Sequence, residues 1–347
     1  MRNPAIALSL FAIAVFVSAV LTALARRYAL RRELLDMPGH RRSHATAIPR
    51  GGGIGPVLTI FAGGALLALA YPGDASVLAA CLSGLTVVAA IGWLDDHRPL
   101  SAWLRLLVHV AAALVAALAL LGVPATVAQA LLLTIAIVWI VSLTNAWNFI
   151  DGIDGLATTQ ALLATLCVFG GSLLHAWLDP AWNTFALVVA GALLGFLPFN
   201  FPRAWIFLGD VGSGALGFVI ACLLLRAIAS GGMPWPLALL PASAILIDSG
   251  LSLAKRVMQG KAWWRPHREH LYQWLVRGGV AHAQVTLTYA LWTLASCLLV
   301  LACRNLTAMQ SAGISVAALL SAALLWSCAR KRLWITAKTS NSRIVRR

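Results

Sequence analysis

The sequence is poor in charge and poorer still in acid. Only 11% of its 347 residues are charged, and 11 Asp or Glu stand against 26 Lys or Arg. A soluble domain of this length needs more polar surface than that, and no soluble fold could hide a chain that is 61% hydrophobic. Cysteine is scarce. Cys81, Cys167, Cys222, Cys297, Cys303 and Cys328 fall inside or at the ends of apolar runs with no metal-ligand spacing, so they read as packing residues. No lysine follows the glycine-rich turn at 209–214, which excludes a Walker P-loop. The run at 4–25 has no small-residue cleavage site, is too long for a signal core and carries its stronger positive charge after the run, so it is expected to stay as a first span.

What is present is one apolar run after another. Eleven spans are expected, near 4–25, 52–72, 77–94, 104–122, 128–146, 156–176, 184–199, 212–229, 236–254, 284–303 and 311–329. Of the 26 basic residues, 23 fall in segments 26–50, 95–105, 200–210, 255–283 and 330–347, all on one side of an eleven-span chain. The positive-inside rule makes that side cytoplasmic. The expected fold is an all-α integral membrane protein of about eleven transmembrane helices, N-terminus periplasmic and C-terminus cytoplasmic. Residues 1–329 form one polytopic unit whose functional loops are 26–50, 95–105, 147–155, 200–213 and 255–283, and 330–347 is a basic interfacial tail. Topology, anionic membrane lipids and an anionic substrate account for the +15 charge without nucleic acid. Trp177, Trp182 and Trp235 are expected to mark the opposite interface.

The few acids are not scattered. Asn145-Ala-Trp-Asn148-Phe-Ile-Asp151-Gly-Ile-Asp154-Gly155 ends one apolar run and precedes another, and its glycines allow an oxygen-rich turn facing water. Such oxygens suit Mg²⁺, which takes one or two carboxylates plus substrate phosphates. Asp95-Asp96 repel one another unless a cation or arginines, Arg98 and Arg105 among them, neutralise them. Asp210 opens a Gly-Asp-x-Gly-Ser-Gly turn whose backbone N–H groups suit phosphate, as do those of Gly51-Gly52-Gly53 at the start of the next helix. Asp248 lies inside the ninth run, where an acid is either satisfied by neighbours or reaches a wet cavity. His267-Arg268-Glu269-His270 places two imidazoles on one helical face, and the surrounding cations favour phosphate or sugar over zinc. His109, His175 and His282 lack such company and read as packing residues. The acids thus gather at the cytoplasmic ends of spans. A coupled transporter would instead hold them at the midplane of related halves, and no internal repeat is visible.

In this order the motifs resemble the polyprenyl-phosphate N-acetylhexosamine-1-phosphate transferases, which make up glycosyltransferase family 4. The likeness runs from Asp36–Gly53 through Asp95-Asp96, Asn145–Leu156 and Phe207–Gly214 to His267 and His270. It implies ten or eleven helices in a bacterial inner membrane. It also implies Mg²⁺-dependent transfer of a sugar 1-phosphate, with Mn²⁺ as a substitute ion, from a UDP-N-acetylhexosamine to undecaprenyl phosphate, releasing UMP. His270-Leu-Tyr-Gln273 is similar to the lipopolysaccharide-initiating branch, which starts O-antigen synthesis, and lacks the histidine run of the muramoyl branch. Carried over by motif position, Asp151 and Asp210 would hold the metal. Asp154, Asn200 and Phe207 would hold uridine, Phe207 by stacking. Asp95 and Asp96 would work at the lipid phosphate, and His267 and His270 at the donor. Asn148, Arg98, Arg265, Arg268 and His44 complete the expected substrate contacts. A phosphate monoester is mostly dianionic at pH 7, so Asp95 is expected to position the lipid phosphate or metal and not to act as a base. Members of the family commonly dimerise, but the GxxxG-like spacings here are too few to argue for a homodimer. Two other readings compete with this one. The Asp-Gly-x-x-Ala-Arg signature of CDP-alcohol phosphotransferases is absent, since Leu156-Ala-Thr-Thr follows Gly155. A lipid-phosphate flippase would transport without Asp151.

Overall fold

A computed structural model describes residues 4–36, 47–262, 264, 267–303 and 306–344. The chain is helical almost throughout: α1 (Pro4–Arg31), α2 (Ile54–Ala70), α3 (Ala75–His97), α4 (Ala102–Leu121), α5 (Val127–Ile150), α6 (Leu156–His175), α7 (Pro180–Asn200), α8 (Asp210–Ala229), α9 (Ser243–Met258), α10 (Leu271–Arg277), α11 (His282–Ala302) and α12 (Ala308–Ile344). A 3₁₀ helix, Trp235–Ala242, leads into α9. Two short antiparallel strands, β1 (Leu35–Asp36) and β2 (Ile48–Pro49), pair with Leu35 opposite Pro49. His44 and Arg265 lie outside the described residues, as does Trp263.

Among the described residues, ten helices are long and apolar enough to cross a membrane, the 3₁₀ helix and α9 counting as one. The expected span at 52–72 is α2, an apolar helix of 17 residues, about 25 Å at 1.5 Å per residue. The observed ends lie within a few residues of expectation except at three places. α1 runs six residues past the expected end, to Arg31. α5 runs on to Ile150, so Asn145 and Asn148 occupy its last turns. α12 continues to Ile344, so the basic tail is helical through that residue.

The bundle is built around α8. Of its most apolar stretch 89% is buried, against 22% in α1 and 17% in α12. It packs on α3 and α5, and small residues make that closeness possible. A Cβ at Gly92 would run into the backbone of Asp210, and one at Gly217 into the carbonyl of Leu143. Small contact residues let helices approach in lipid, where apolar burial alone gives little preference. Around this core the outward faces carry Leu69, Val127, Leu131, Ile135 and Leu291, all well exposed, an apolar girdle too large for an aqueous surface.

Some tryptophans sit otherwise than expected. Trp177 and Trp182 are wholly buried, and Trp235 alone of the three is exposed. Trp177 fills the space beside Gly171, where a Cβ would strike its ring. Cys81, Cys167, Cys222 and Cys297 are buried free thiols, while Cys303 is partly and Cys328 fully exposed.

Candidate active site

The Asp95-Asp96 pair ends α3, and the structure separates its two members. Asp95 accepts a hydrogen bond from the Leu100 backbone N–H at 2.6 Å and meets Arg105 Nη1 at 2.7 Å. The same nitrogen reaches Asp210 Oδ2 at 3.0 Å. One guanidinium from the first turn of α4 therefore joins the end of α3 to the start of α8. Asp96 is only 3% exposed, and its carboxylate accepts from the backbone N–H groups of Asp210 and Val211 at 3.2 and 3.1 Å. Arg50 backs it, donating to the Asp96 carbonyl, with Nε 4.0 Å from Oδ1. Asp96 thus caps the first turn of α8 and fixes Asp210, a building role in place of the expected contact with lipid phosphate. Arg98 caps the end of α3 on the exposed surface.

Both glycine-rich phosphate cradles give way to packing. The first N–H groups of α8 are spent on Asp96, and those of Gly212 and Ser213 go to the Gly209 carbonyl. Gly52 and Gly53 donate to Phe207 and Leu208 at 2.9 and 2.8 Å. A Cβ at Gly53 would collide with the Cα of Gly212, so the triple glycine lets α2 meet α8 end to end. Gly209 has φ +75°, a conformation L side chains rarely adopt, and a Cβ there would press on Asp96 Oδ2 at 2.6 Å.

Asn148, on the last turn of α5, donates to Asp210 Oδ1 and Ser213 Oγ, both at 3.0 Å. Asp210, Asn148, Arg105, His267 and His270 line one cavity of about 530 Å³. Its remaining wall is largely apolar, with Leu106 and Val141 facing Leu246 and Leu253.

The two histidines do not share a helix. Both precede α10, and their rings still stack at 4.9 Å, with His270 against Phe149 at 6.0 Å. Burial, then the charges of His270 and Arg256, lower His267 to about 4, and burial lowers His270 against the opposing charge of Asp248. At neutral pH both are neutral imidazoles. Asp248 holds this segment. The acid is 1% exposed and accepts from Leu271 N at 2.6 Å, Tyr289 Oη at 2.7 Å, Trp326 Nε1 at 2.9 Å and Tyr272 N at 3.3 Å. It pins the start of α10 to α9, α11 and α12. Tyr272 in turn donates to the Phe149 carbonyl at 3.1 Å, and a Cβ on Gly152 would strike its hydroxyl.

The remaining expected residues stand apart from the cavity. Asn200 is 2% exposed; its oxygen accepts from Thr158 at 3.0 Å and its amide donates to the Ile206 carbonyl at 3.2 Å. Its polar groups tie α6 to the end of α7, which leaves little for uridine. Asp154 meets His282 Nδ1 at 3.4 Å, while Oδ1 is buried without a protein donor. Phe207 is partly exposed beside Pro49, whose carbonyl accepts its N–H at 2.8 Å. Arg268 lines a second, separate cavity.

Among the described residues no three His, Cys, Asp or Glu converge into a ready-made metal cage. Mg²⁺ asks for less, since one or two carboxylates plus substrate phosphates suffice. Asp210 fits, because it lines the cavity and, among the described residues, is paired with one guanidinium, which Asp95 shares. Asp151 fits by charge. Burial and then Asp96 push its carboxyl up to about 8, against a hydrogen bond from the Gly209 backbone, so a cation bound there would favour its charged form.

Sequence reasoning undervalued three residues. Arg105 was visible as one arginine near two acids, but its partner Asp210 is 105 positions away. His109, one helical turn beyond Arg105, lines the cavity with its Nδ1 unpartnered. His282 finds Asp154 across the bundle.

The fold is that of a multi-pass helical membrane protein, and sequence comparison gives it a family. Residues 78–228 match glycosyl transferase family 4. The chain is 32% identical to the decaprenyl-phosphate N-acetylglucosaminephosphotransferase of Mycobacterium tuberculosis over 309 aligned positions, spanning 77% of this chain and 75% of that one. It is 27% identical to a probable undecaprenyl-phosphate N-acetylglucosaminyl 1-phosphate transferase of Bacillus subtilis, with 78% of each chain covered. Against the undecaprenyl-phosphate alpha-N-acetylglucosaminyl 1-phosphate transferase of Yersinia pestis identity is 28%, over 90% of this chain and 88% of the relative. The chain belongs to glycosyl transferase family 4.

Proposed function

We propose that this protein transfers N-acetylhexosamine 1-phosphate from a UDP-sugar to undecaprenyl phosphate in the bacterial inner membrane, the first step of O-antigen or related surface-polysaccharide synthesis. The observation that carries the reading is Asp95 and Asp210 sharing Arg105 beside a cavity with an apolar wall and two stacked imidazoles. A lipid phosphate oxygen attacks the β-phosphorus of the donor. The bond from that phosphorus to the bridging oxygen breaks, UMP leaves, and the sugar stays on its phosphate. The basic loops put this mouth on the cytoplasmic side, where UDP-sugars are found.

Bringing a phosphate monoester to a diphosphate gathers several negative charges, so positioning and neutralisation carry most of the catalysis. Arg105 is placed to receive a phosphate between its two carboxylates. Both oxygens of Asp95 already accept hydrogen bonds, which suits a group that holds Arg105 in place better than a base. His267 and His270, being neutral, would donate single hydrogen bonds to the donor's phosphates or sugar. The apolar wall suits the first isoprene units of the carrier. Asp151 and Asp210 would hold Mg²⁺, which when bound would neutralise the donor diphosphate. The three relatives named above carry N-acetylglucosamine in their names, which makes UDP-N-acetylglucosamine the first donor to try.

The test is UMP release by the purified chain from a panel of UDP-N-acetylhexosamines with undecaprenyl phosphate, with Mg²⁺ or with chelator. Release with one donor, dependent on lipid and metal, is expected. No release with any donor, from folded protein that binds the lipid, would overturn the proposal in favour of a lipid-phosphate flippase. An acidic limb in the rate that vanishes in an Asp95→Asn variant with residual activity would restore Asp95 as a base.

A further inference from the structure

A second cavity, of about 570 Å³, lies between the end of α9 and the middle of α12 and shares no lining residue with the first. Six basic side chains line it: Lys255 and Lys261 at and beyond the end of α9, Arg268 before α10 and Arg277 at its last position, and Arg330 and Lys331 on α12. Glu269 is the one carboxylate among its lining residues, and it is already held by Arg256 at 2.7 Å and Lys261 at 3.1 Å. Excess positive charge on a cytoplasmic rim has an ordinary explanation in topology. Arg330 does not. It is 7% exposed, its guanidinium carbon stands 3.8 Å from the centre of the Trp274 ring, and its Nη1 finds no acceptor among the described residues. The ring face answers the charge but offers no oxygen, and a buried charged donor without an acceptor is costly.

Location narrows the ligand. Lys255-Arg256 on α9 and Arg330-Lys331-Arg332 on α12 are where the apolar runs of the two helices give way to charge, the level at which helices leave the hydrocarbon. Basic pockets at that level meet lipid phosphates. Trp326, its indole N–H spent on Asp248, and Trp274 both line the cavity, and tryptophans are enriched at headgroup depth.

We propose that this cavity is an anion site for a phosphate group, distinct from the site of transfer, with Arg330 as its buried donor and Lys255 and Lys331 at its rim. The phosphate comes from an anionic lipid headgroup or from free phosphate, and one experiment separates the two. The full-length chain is purified in micelles carrying equal phosphatidylglycerol and phosphatidylcholine, and retained lipid is counted by native mass spectrometry with and without millimolar inorganic phosphate. Wild type is expected to keep phosphatidylglycerol about tenfold over phosphatidylcholine. The preference should collapse in Arg330→Met, which keeps an apolar stem against Trp274. It should also collapse in the Lys255→Gln/Lys331→Gln double variant, whose substitutions lie at the rim and spare the packing. Retention unmoved by inorganic phosphate assigns the site to a lipid headgroup. Retention displaced by it assigns the site to free phosphate. Equal retention of the two lipids, or a preference that survives in the folded double variant, overturns the proposal.

Discussion

Each end of the α3–α8 pair carries two carboxylates sharing one arginine nitrogen, and the two ends differ in what lies beside them. At one end Arg105 Nη1 joins Asp95 to Asp210. At the other, Arg226 Nη2 joins Asp74 at 3.3 Å to Asp179 at 2.7 Å. Exposure does not distinguish them, since Arg105 is 29% and Arg226 23% exposed. The surroundings do. Asp74 and Asp179 stand at the N-caps of α3 and α7, Asp179 accepts from Trp182 N, and the Arg226 guanidinium lies 5.6 Å over the Trp182 ring. That clamp ends on helix termini and an aromatic face. The Arg105 bridge instead borders a cavity lined by Asn148, His267 and His270. An ion triad is thus no sign of a site until something beside it is left for a ligand.

The sharpest way to break this comparison is to remove one acid at each end. Asp210→Asn should lower kcat about a hundred- to a thousandfold in protein that still melts cooperatively. Asp179→Asn should leave the rate of folded protein unchanged and lower stability by about 1–3 kcal/mol, read from thermal unfolding and turnover in the same preparations. Equal losses of rate would erase the distinction between the two ends.

Next in size is Asp248. Replacing it with Asn turns one acceptor oxygen into a donor facing N–H and O–H groups, so the start of α10 should shift. A shift of that kind costs about ten- to a hundredfold in kcat, with substrate KM little changed, measured by UMP release. A smaller effect follows from His267. Unfolded, it takes up a proton near its ordinary 6.5, but in the folded chain only near 4. Between those values the unfolded state binds more protons, so stability falls as pH drops from 6.5 towards 4. His267→Gln should flatten that dependence in melting curves across the window. The smallest effect belongs to Arg98, exposed at the end of α3, where Arg98→Ala should change turnover less than about twofold.

The spans were legible because hydrocarbon thickness fixes their length, and ten of them recur within a few residues of where apolar runs place them. The acids were legible as a group because ionisable residues are rare in such a chain. Their division of labour was not. Whether Asp96 meets a ligand or the N–H groups of α8 depends on how α3 and α8 pack, across more than a hundred residues of sequence. Glycine spacing alone could not tell a phosphate cradle from the contact of Gly53 with Gly212. Asp248 gave no hint of its partners because Trp326 and Tyr289 come from later helices.

The most direct test of the central claim follows the phosphorus. With UDP-N-acetylglucosamine labelled at the β-phosphorus and undecaprenyl phosphate as acceptor, wild type and Asp179→Asn should carry the label into the lipid phase, with one UMP for each lipid product, and Asp210→Asn should leave it in the water. Label remaining in the aqueous phase as UDP while sugar reaches the lipid, or label transferred by Asp210→Asn at the wild-type rate, would contradict the account.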